Sequence, residues 1–271
     1  MRQALADATR RLAAAGVASP RVDAELLLAY CLGVERSQLS TVDGPVPSGF
    51  AQAVQRRVAR EPLQYIVGRA AFRYVDIAVG PGVFVPRPET ELLVDAVLPA
   101  LASTATVVDL CAGSGALAVA IAHEVPGARV YAVERSPAAL PWLHRNAAAS
   151  GVTVVEGDVT DPALLAELSG RVDAVVSNPP YVPAGTYVEA EVRADPADAI
   201  FAGADGLAVI PAVIARAAAL LRPGGVLAIE HDESHGGTVP VLLADGWREV
   251  ADHPDLTGRP RYTTAVRAAA R

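Results

Sequence analysis

Asn178-Pro179-Pro180-Tyr181 is a segment whose residue types ask for a chemical explanation. It follows the apolar run 172–177, so it is expected at the carboxyl end of a β-strand, where open α/β sheets hold their ligands. The chemistry it fits is alkylation of a planar nitrogen of the amide type. Such a nitrogen is a poor nucleophile because its lone pair is delocalised, and a catalyst must grip both its hydrogens and aim it. The Asn178 side-chain oxygen supplies one acceptor and the Pro179 carbonyl a second, while consecutive prolines stiffen the backbone and remove two N–H groups. Tyr181 offers a flat wall for a flat substrate group. Positioning of this kind contributes up to roughly 7–11 kcal/mol in well-oriented systems, with no strong base. Asn178, Pro179 and Tyr181 are therefore the candidate catalytic residues, and Pro180 joins them in substrate binding. The competing reading is a strand followed by a proline-rich turn with no chemical role.

An alkyl donor needs its own pocket. Val107-Val108-Asp109-Leu110 runs into Cys111-Ala112-Gly113-Ser114-Gly115 and then into a helical pattern. Glycines at such a junction let a ligand approach the backbone and the helix N-terminus. Gly113-x-Gly115-x-x-Ala118 also satisfies a loose dinucleotide fingerprint, with Glu134 at the spacing of a ribose ligand, so the glycines alone leave a nicotinamide cofactor open. Asp109 favours the other choice. A carboxylate there would face a pyrophosphate unfavourably but suits the cationic amino group of S-adenosylmethionine. Glu134, at the end of the next strand, can accept from both ribose hydroxyls; its bland alternative is a solvated strand-end acid. In Gly157-Asp158-Val159, Asp158 can accept from the adenine amino group and Val159 can cover the ring, against the alternative of an ordinary turn or cap. Asn178 would border the same pocket.

The elements that must position these groups follow from the pattern of the chain. Residues 1–68 read as helices, with Leu5, Ala8, Leu12 and Ala15 at helical spacing, an apolar segment after Ser19-Pro20, and a third helix over 48–60 ended by Pro62. That section carries no glycine loop and no cluster of catalytic residue types, and is expected to recognise a partner. Residues 69–86 form a linker, in which 72–79 and 83–85 are predicted as a β-hairpin across Gly80-Pro81-Gly82. From 87 to 271 strand and helix alternate, with strands near 106–110, 129–133, 153–155, 174–177, 226–229 and 262–266. Alternation of this kind predicts a doubly wound, mainly parallel α/β sheet of the Rossmann-like type.

Composition narrows the class. The 271 residues are 52% hydrophobic and 20% charged, the net charge is −7, and every basic residue other than histidine is Arg. A negative whole-protein field opposes nucleic acid at long range, so no direct nucleic-acid partner is expected. No run reaches the roughly 18 apolar residues of a membrane span, and the first residues lack a signal-peptide core. With two distant cysteines, Cys31 and Cys111, these features predict a cytoplasmic protein without a membrane partner. No metal is expected: His231 and His235 are four apart, but Asp232 stands where the zinc-protease motif needs Glu, and no third ligand is evident. Cys111 is read as a small loop filler. Glu189, Glu191, Asp195 and Asp198 are read as a solvated loop that gates the Asn178 motif.

Together the motifs resemble the bacterial HemK/PrmC family, protein-(glutamine-N5) methyltransferases that modify class 1 peptide chain release factors. Besides Asn178-Pro179-Pro180-Tyr181, Glu61-Pro62-Leu63-Gln64-Tyr65-Ile66-Val67-Gly68 and Val85-Pro86-Arg87-Pro88-Glu89-Thr90-Glu91 look like that family's linker signatures. The tetrapeptide is shared with adenine-N6 and cytosine-N4 methyltransferases; the Pro-Arg-Pro-Glu-Thr-Glu block is not. The resemblance implies a class I methyltransferase fold, S-adenosylmethionine as donor, and cofactor contacts from 111–115, Glu134, Val159 and Asn178. It implies that Phe72 and residues 86–90, Arg87 and Glu89 among them, line the substrate pocket. Cys111-Ala112 departs from the family's Gly-Thr. Asp205-Gly206-Leu207, Ile229-Glu230-His231 and Asp255-Leu256-Thr257-Gly258-Arg259 fit its later blocks. The expected reaction is methylation of the glutamine in a release factor's Gly-Gly-Gln motif. The rivals are a nucleic-acid methyltransferase acting on a flipped base, and a module that binds without turnover.

Overall fold

The computed structural model describes residues 1–269. They fall into two units, 1–69 with 188–194 and 70–187 with 195–269. The first is built from α1 (Arg2–Ala14), α2 (Pro20–Leu32), α3 (Phe50–Val58) and α4 (Leu63–Val67). Pro20 starts α2 at a position whose N–H would have no helical partner. Leu12, Leu27, Phe50, Val54 and Ile66 interlock as its core. Leu12 and Leu27 are fully buried, and truncating either to Ala costs about 2–5 kcal/mol. The Arg57 guanidinium is also buried and pairs with Asp23 at 2.7 Å and with Glu191 at 2.8 Å. Glu191 also accepts from Arg60. The reading of Glu191 as part of a solvated loop is thus corrected: two arginines draw its carboxylate inward.

All but the first residue of β1 (Arg69–Phe72) belongs to the second unit, where β1 forms a small two-stranded sheet with β2 (Val75–Ala78). The hairpin therefore turns at Arg73-Tyr74, not at Gly80-Pro81-Gly82. Arg73 adopts φ 50°, a left-handed conformation that an arginine does not advertise in sequence. Its guanidinium is held by Asp95 and Glu124, and its N–H donates to Glu91. Residues 83–85 form no strand, although Val83 and Val85 are buried.

There follow α5 (Glu91–Val97), β3 (Thr106–Leu110), α6 (Ala116–Glu124), β4 (Arg129–Glu134), α7 (Leu140–Ala147), β5 (Thr153–Glu156) and β6 (Val172–Ser177). The unit closes with α8 (Ile210–Leu220), β7 (Leu221–Glu230), α9 (Thr238–Leu242), β8 (Trp247–Pro254) and β9 (Pro260–Arg267). The seven-stranded sheet runs β5-β4-β3-β6-β7-β9-β8. Its first five strands are parallel, and β9 is antiparallel to both β7 and β8. β3 is buried along its whole length, as a strand covered on both faces must be. β8 was not foreseen. It is an edge strand whose polar residues fall in pairs, Arg248-Glu249 and Asp252-His253, and whose pairing is interrupted between Arg248 and Ala251, so it shows no clean alternation. The chain winds outward from β3 to β4 and β5, then returns to set β6 on the other side of β3. That reversal opens a crevice at the carboxyl ends of β3 and β6, the switch point where such sheets bind ligands.

Candidate active site

Consecutive strand ends deliver the polar groups in a fixed order. Leu110 is level with Ser177 of β6 and with Val133 of β4, and Glu134 is level with Glu156 of β5. Asp158, Glu134, Cys111 and Asn178 therefore follow one another across β5, β4, β3 and β6. Three strand spacings of about 4.8 Å make a row of about 14 Å. Above it lies a cavity of about 400 Å³, walled by Asp109, residues 111–114, Glu134, residues 157–160, Asn178 and Pro180. A volume of this size suits a small-molecule cofactor.

Asp109 is the most exacting of these groups. Its side chain is fully buried; Oδ2 accepts from the Ala118 N–H in the first turn of α6 at 3.2 Å, and Oδ1 has no partner. Burial, with the charge of Glu134 in addition, holds its carboxyl well above the usual carboxylate range. An unpartnered buried acceptor beside a cavity is complementary to a cation that donates hydrogen bonds.

Glu134 stitches the loop together. Oε2 accepts from Gly113 N–H at 2.7 Å, and Oε1 accepts from the N–H groups of Arg135 and Ser136. Gly113 has φ 56° and a Cβ built on it would meet no protein atom within 4 Å, so the backbone is bare. Cys111 is strained by comparison, with φ 63° on a residue that has a side chain. Burial, then the charges of Glu134 and Asp109, push its thiol up to about 12. Asp158 is already engaged: Oδ1 accepts from the Thr160 N–H and hydroxyl, and Oδ2 pairs with Arg135 at 2.9 Å. Those bonds hold its carboxyl down at about 2. Val159 is buried in the wall beside it.

Asn178 heads a buried chain of hydrogen bonds. Its Nδ2 donates to Thr90 Oγ1 at 3.0 Å, Thr90 donates to Glu230 Oε2 at 2.7 Å, and the Tyr181 hydroxyl donates to Glu230 Oε1 at 2.7 Å. Glu230 and Thr90 are 1% and 4% exposed, so solvent cannot substitute for these bonds. Burial and the Glu230 charge push the Tyr181 phenol above its ordinary range, keeping it neutral. Beyond the motif, Val182 bridges to 200–202, which places Phe201, Ala202 and Gly203 in the cavity wall.

Several expected residues lie elsewhere. Phe72 is an interior residue at 1% exposure rather than a pocket residue, because it shares the buried face of β1 with Ala70. Tyr181 is outside the cavity wall, its ring against the sheet's core and its hydroxyl on Glu230. Pro179 and Gly115 flank the wall without lining it, Pro179 being buried and Gly115 packed on Leu143. Of residues 86–90, Pro86 and Thr90 line the cavity; Arg87 pairs with Asp195 and Glu89 stands off it. Asp195, read from sequence as solvated, is buried and also accepts from Val85 N–H. His231 and His235 share no helix and bond apart, to Thr263 and to the Asp205 carbonyl. Among the described residues, no group of three His, Cys, Asp or Glu is placed to hold a metal. No helix among them is long and apolar enough to cross a membrane.

The site's hub, Glu230, carried the signal that singled out Glu134, an acid at the end of a parallel strand. Its role is not legible in sequence because its partners, Thr90 and Tyr181, are 140 and 49 residues away.

Residues 75–242 match the methyltransferase small domain, and residues 3–68 match the PrmC N-terminal domain. Fold and site define a class I S-adenosylmethionine-dependent methyltransferase. The chain is 52% identical to the release factor glutamine methyltransferase of Mycolicibacterium smegmatis, over 99% of this chain and 98% of that one. It is 51% identical to the protein of the same name from Streptomyces coelicolor, over 97% of each. This chain belongs to the release factor glutamine methyltransferase family.

Proposed function

We propose that this enzyme methylates the side-chain amide nitrogen, N5, of the glutamine in the Gly-Gly-Gln motif of class 1 peptide chain release factors. The observation that carries the reading is the row of acceptors from Asp158 to Asn178 with the unpartnered Asp109 Oδ1 beside it. S-adenosylmethionine, when bound, supplies a methyl group made electrophilic by its sulfonium. Asp109 would receive the donor's amino group at Oδ1, and Glu134 would receive the ribose hydroxyls with the lone pairs its backbone partners leave. Val159 would cover the adenine, with Asp158 accepting at its edge. The bare backbone at Gly113 lets the donor lie close to the loop between β3 and α6.

The Asn178 oxygen and the Pro179 carbonyl would hold the two hydrogens of the substrate amide, so that its nitrogen lone pair is directed at the methyl group. Pro180 and Phe84 supply apolar wall that keeps water from competing. No side chain need take the proton before transfer, because the amide nitrogen sheds it readily once it bears the methyl group. Rate enhancement rests on aim rather than on a base, and here the geometry is consistent with effective-molarity gains. The helical unit at 1–68, the linker at 69–86 and the catalytic portion from 87 onward are proposed to divide the work of partner recognition and chemistry.

The test is incubation with labelled S-adenosylmethionine and, separately, release factor, DNA and ribosomal RNA. Label is expected on the release factor glutamine. Label only in nucleic acid, or full activity of Asn178→Ala, would refute the proposal.

A further inference from the structure

We propose that Thr90 and Glu230 are positioning residues that fix which end of the Asn178 carboxamide faces the substrate. The inference rests on the reading of Asn178 as the amide-gripping acceptor, and adds how that acceptor is kept in register.

An asparagine side chain presents an oxygen and an NH2 group of nearly equal size, and only the oxygen can accept from a substrate amide. A half-turn about the last side-chain bond would present a donor to a donor and release the substrate. Proton accounting prevents that turn. Glu230 is buried and its two oxygens are each met by a hydroxyl, Thr90 on one and Tyr181 on the other, both at 2.7 Å. An ionised carboxylate has no proton to give, so both hydroxyls must donate to it. Thr90 Oγ1 thereby spends its only proton on Glu230 and can act toward Asn178 only as an acceptor. The group 3.0 Å from it on Asn178 must therefore be Nδ2, and Oδ1 is left for the cavity that Asn178 lines.

The chain of causes runs from charge to direction. Glu230 sets the polarity of Thr90, and Thr90 sets the orientation of Asn178. Tyr181 fills the second carboxylate oxygen, so the motif's last residue supports its first through a side chain 49 residues further on. Burial raises the Glu230 carboxyl above its ordinary range, and the hydroxyls of Thr90 and Tyr181 and then the charge of Arg261 work against it in favour of the charged form; Arg261 is itself anchored on the buried Asp255. Thr90 and Asn178 line the same cavity as Asp158, Glu134 and Asp109, but none of the groups in this chain is hydrogen-bonded to those three carboxylates, so the device acts on the substrate's acceptor rather than on the donor's polar contacts.

The test compares four variants of the full-length enzyme on intact release factor, with thermal melting to establish that each is folded. Thr90→Val keeps the shape and removes the hydroxyl; kcat is expected to fall about 30- to 100-fold, the scale of a misaimed reacting group, while KM for S-adenosylmethionine stays within about twofold. Thr90→Ser restores the hydroxyl and is expected to recover kcat to within about fivefold of the native enzyme. Glu230→Gln can offer Thr90 either an oxygen or an NH2 group, so the lock is halved and kcat is expected to fall about 3- to 10-fold. Asn178→Ala separates this idea from the one beneath it. If Asn178→Ala is inactive while folded Thr90→Val keeps kcat within about threefold, the lock is refuted and the amide grip stands. If Asn178→Ala is fully active, the grip itself is refuted. A fall in kcat for Thr90→Val that Thr90→Ser does not reverse assigns Thr90 to packing and also refutes the lock. Should Thr90→Val fail to fold, Glu230→Gln decides alone: a native kcat refutes the lock.

Discussion

Replacing Asp109 with Asn should move stability and affinity in opposite directions. Asp109 is fully buried, with Oδ2 on the Ala118 N–H and Oδ1 without a partner. Its carboxyl is raised by burial and by the neighbouring Glu134 charge. A group whose folded value lies above its unfolded one binds more protons when folded, so it withdraws stability as pH rises from the ordinary 3.8 through the raised value. At neutral pH the native side chain thus costs the free enzyme stability, and Asp109→Asn, which keeps an acceptor for Ala118, should raise the melting temperature. The donor's ammonium loses its counter-charge in the same change. At about 4 Å and an effective dielectric near 20 that attraction is about 4 kcal/mol. Relief of the buried charge offsets part of it, leaving about 2–3 kcal/mol, or about 30- to 150-fold in Kd. Calorimetric titration should show this loss for S-adenosylmethionine and equally for S-adenosylhomocysteine, which shares the amino group. It should show almost none for 5′-methylthioadenosine, which lacks it. Native affinity should fall as pH drops through the raised value, and the variant should lose that dependence. An equal loss for all three ligands, or no loss for the first two, would refute the assignment of Oδ1 to the amino group.

Other perturbations follow from single contacts. At Gly206, φ is 78° and an added Cβ would stand 2.2 Å from the Tyr181 carbonyl oxygen; Gly206→Ala should cost about 2–3 kcal/mol in denaturant unfolding. Cys111 at φ 63° carries strain that glycine would not, so Cys111→Gly should raise stability by up to about 1 kcal/mol and Cys111→Val should lower it. With its thiol pushed up to about 12, Cys111 should resist alkylation at neutral pH while the native enzyme is folded, as mass spectrometry would show. Burial raises the Glu191 carboxyl, but bonds from Arg60 and Arg57 outweigh it and hold it at about 2 against an ordinary 4.5. Its contribution is therefore complete above about 4.5 and lost as pH falls toward 2, and Glu191→Gln should flatten thermal melts across that window by at most about 2 kcal/mol.

The chain announces what depends on near neighbours. Apolar runs such as 106–110 and 172–177 declare buried parallel strands, because a strand covered on both faces has little room for polar side chains. The glycines at 113 and 115 mark a tight turn into a helix, and strand-end acids mark the cofactor side of the sheet. The family signatures between 61 and 91 are likewise legible as short words. The hairpin turn at Arg73 was not legible, since ion pairs with Asp95 and Glu124 allow an arginine to take a glycine's conformation.

Tertiary structure decided who meets whom. Thr90 and Asn178 are 88 residues apart, and Thr90 and Glu230 are 140 apart, yet they share one buried chain of hydrogen bonds. Sequence named Asn178 and Tyr181 and assigned Tyr181 to the substrate wall; the fold turned its hydroxyl onto Glu230 instead. It also drew Glu191 and Asp195 from an apparently solvated run into separate ion pairs. The physical reason is common to all of these. A periodic pattern reports only whether a position faces the core, whereas the partner of a buried polar group is set by which strand ends the sheet order brings together, and that order is a property of the whole chain.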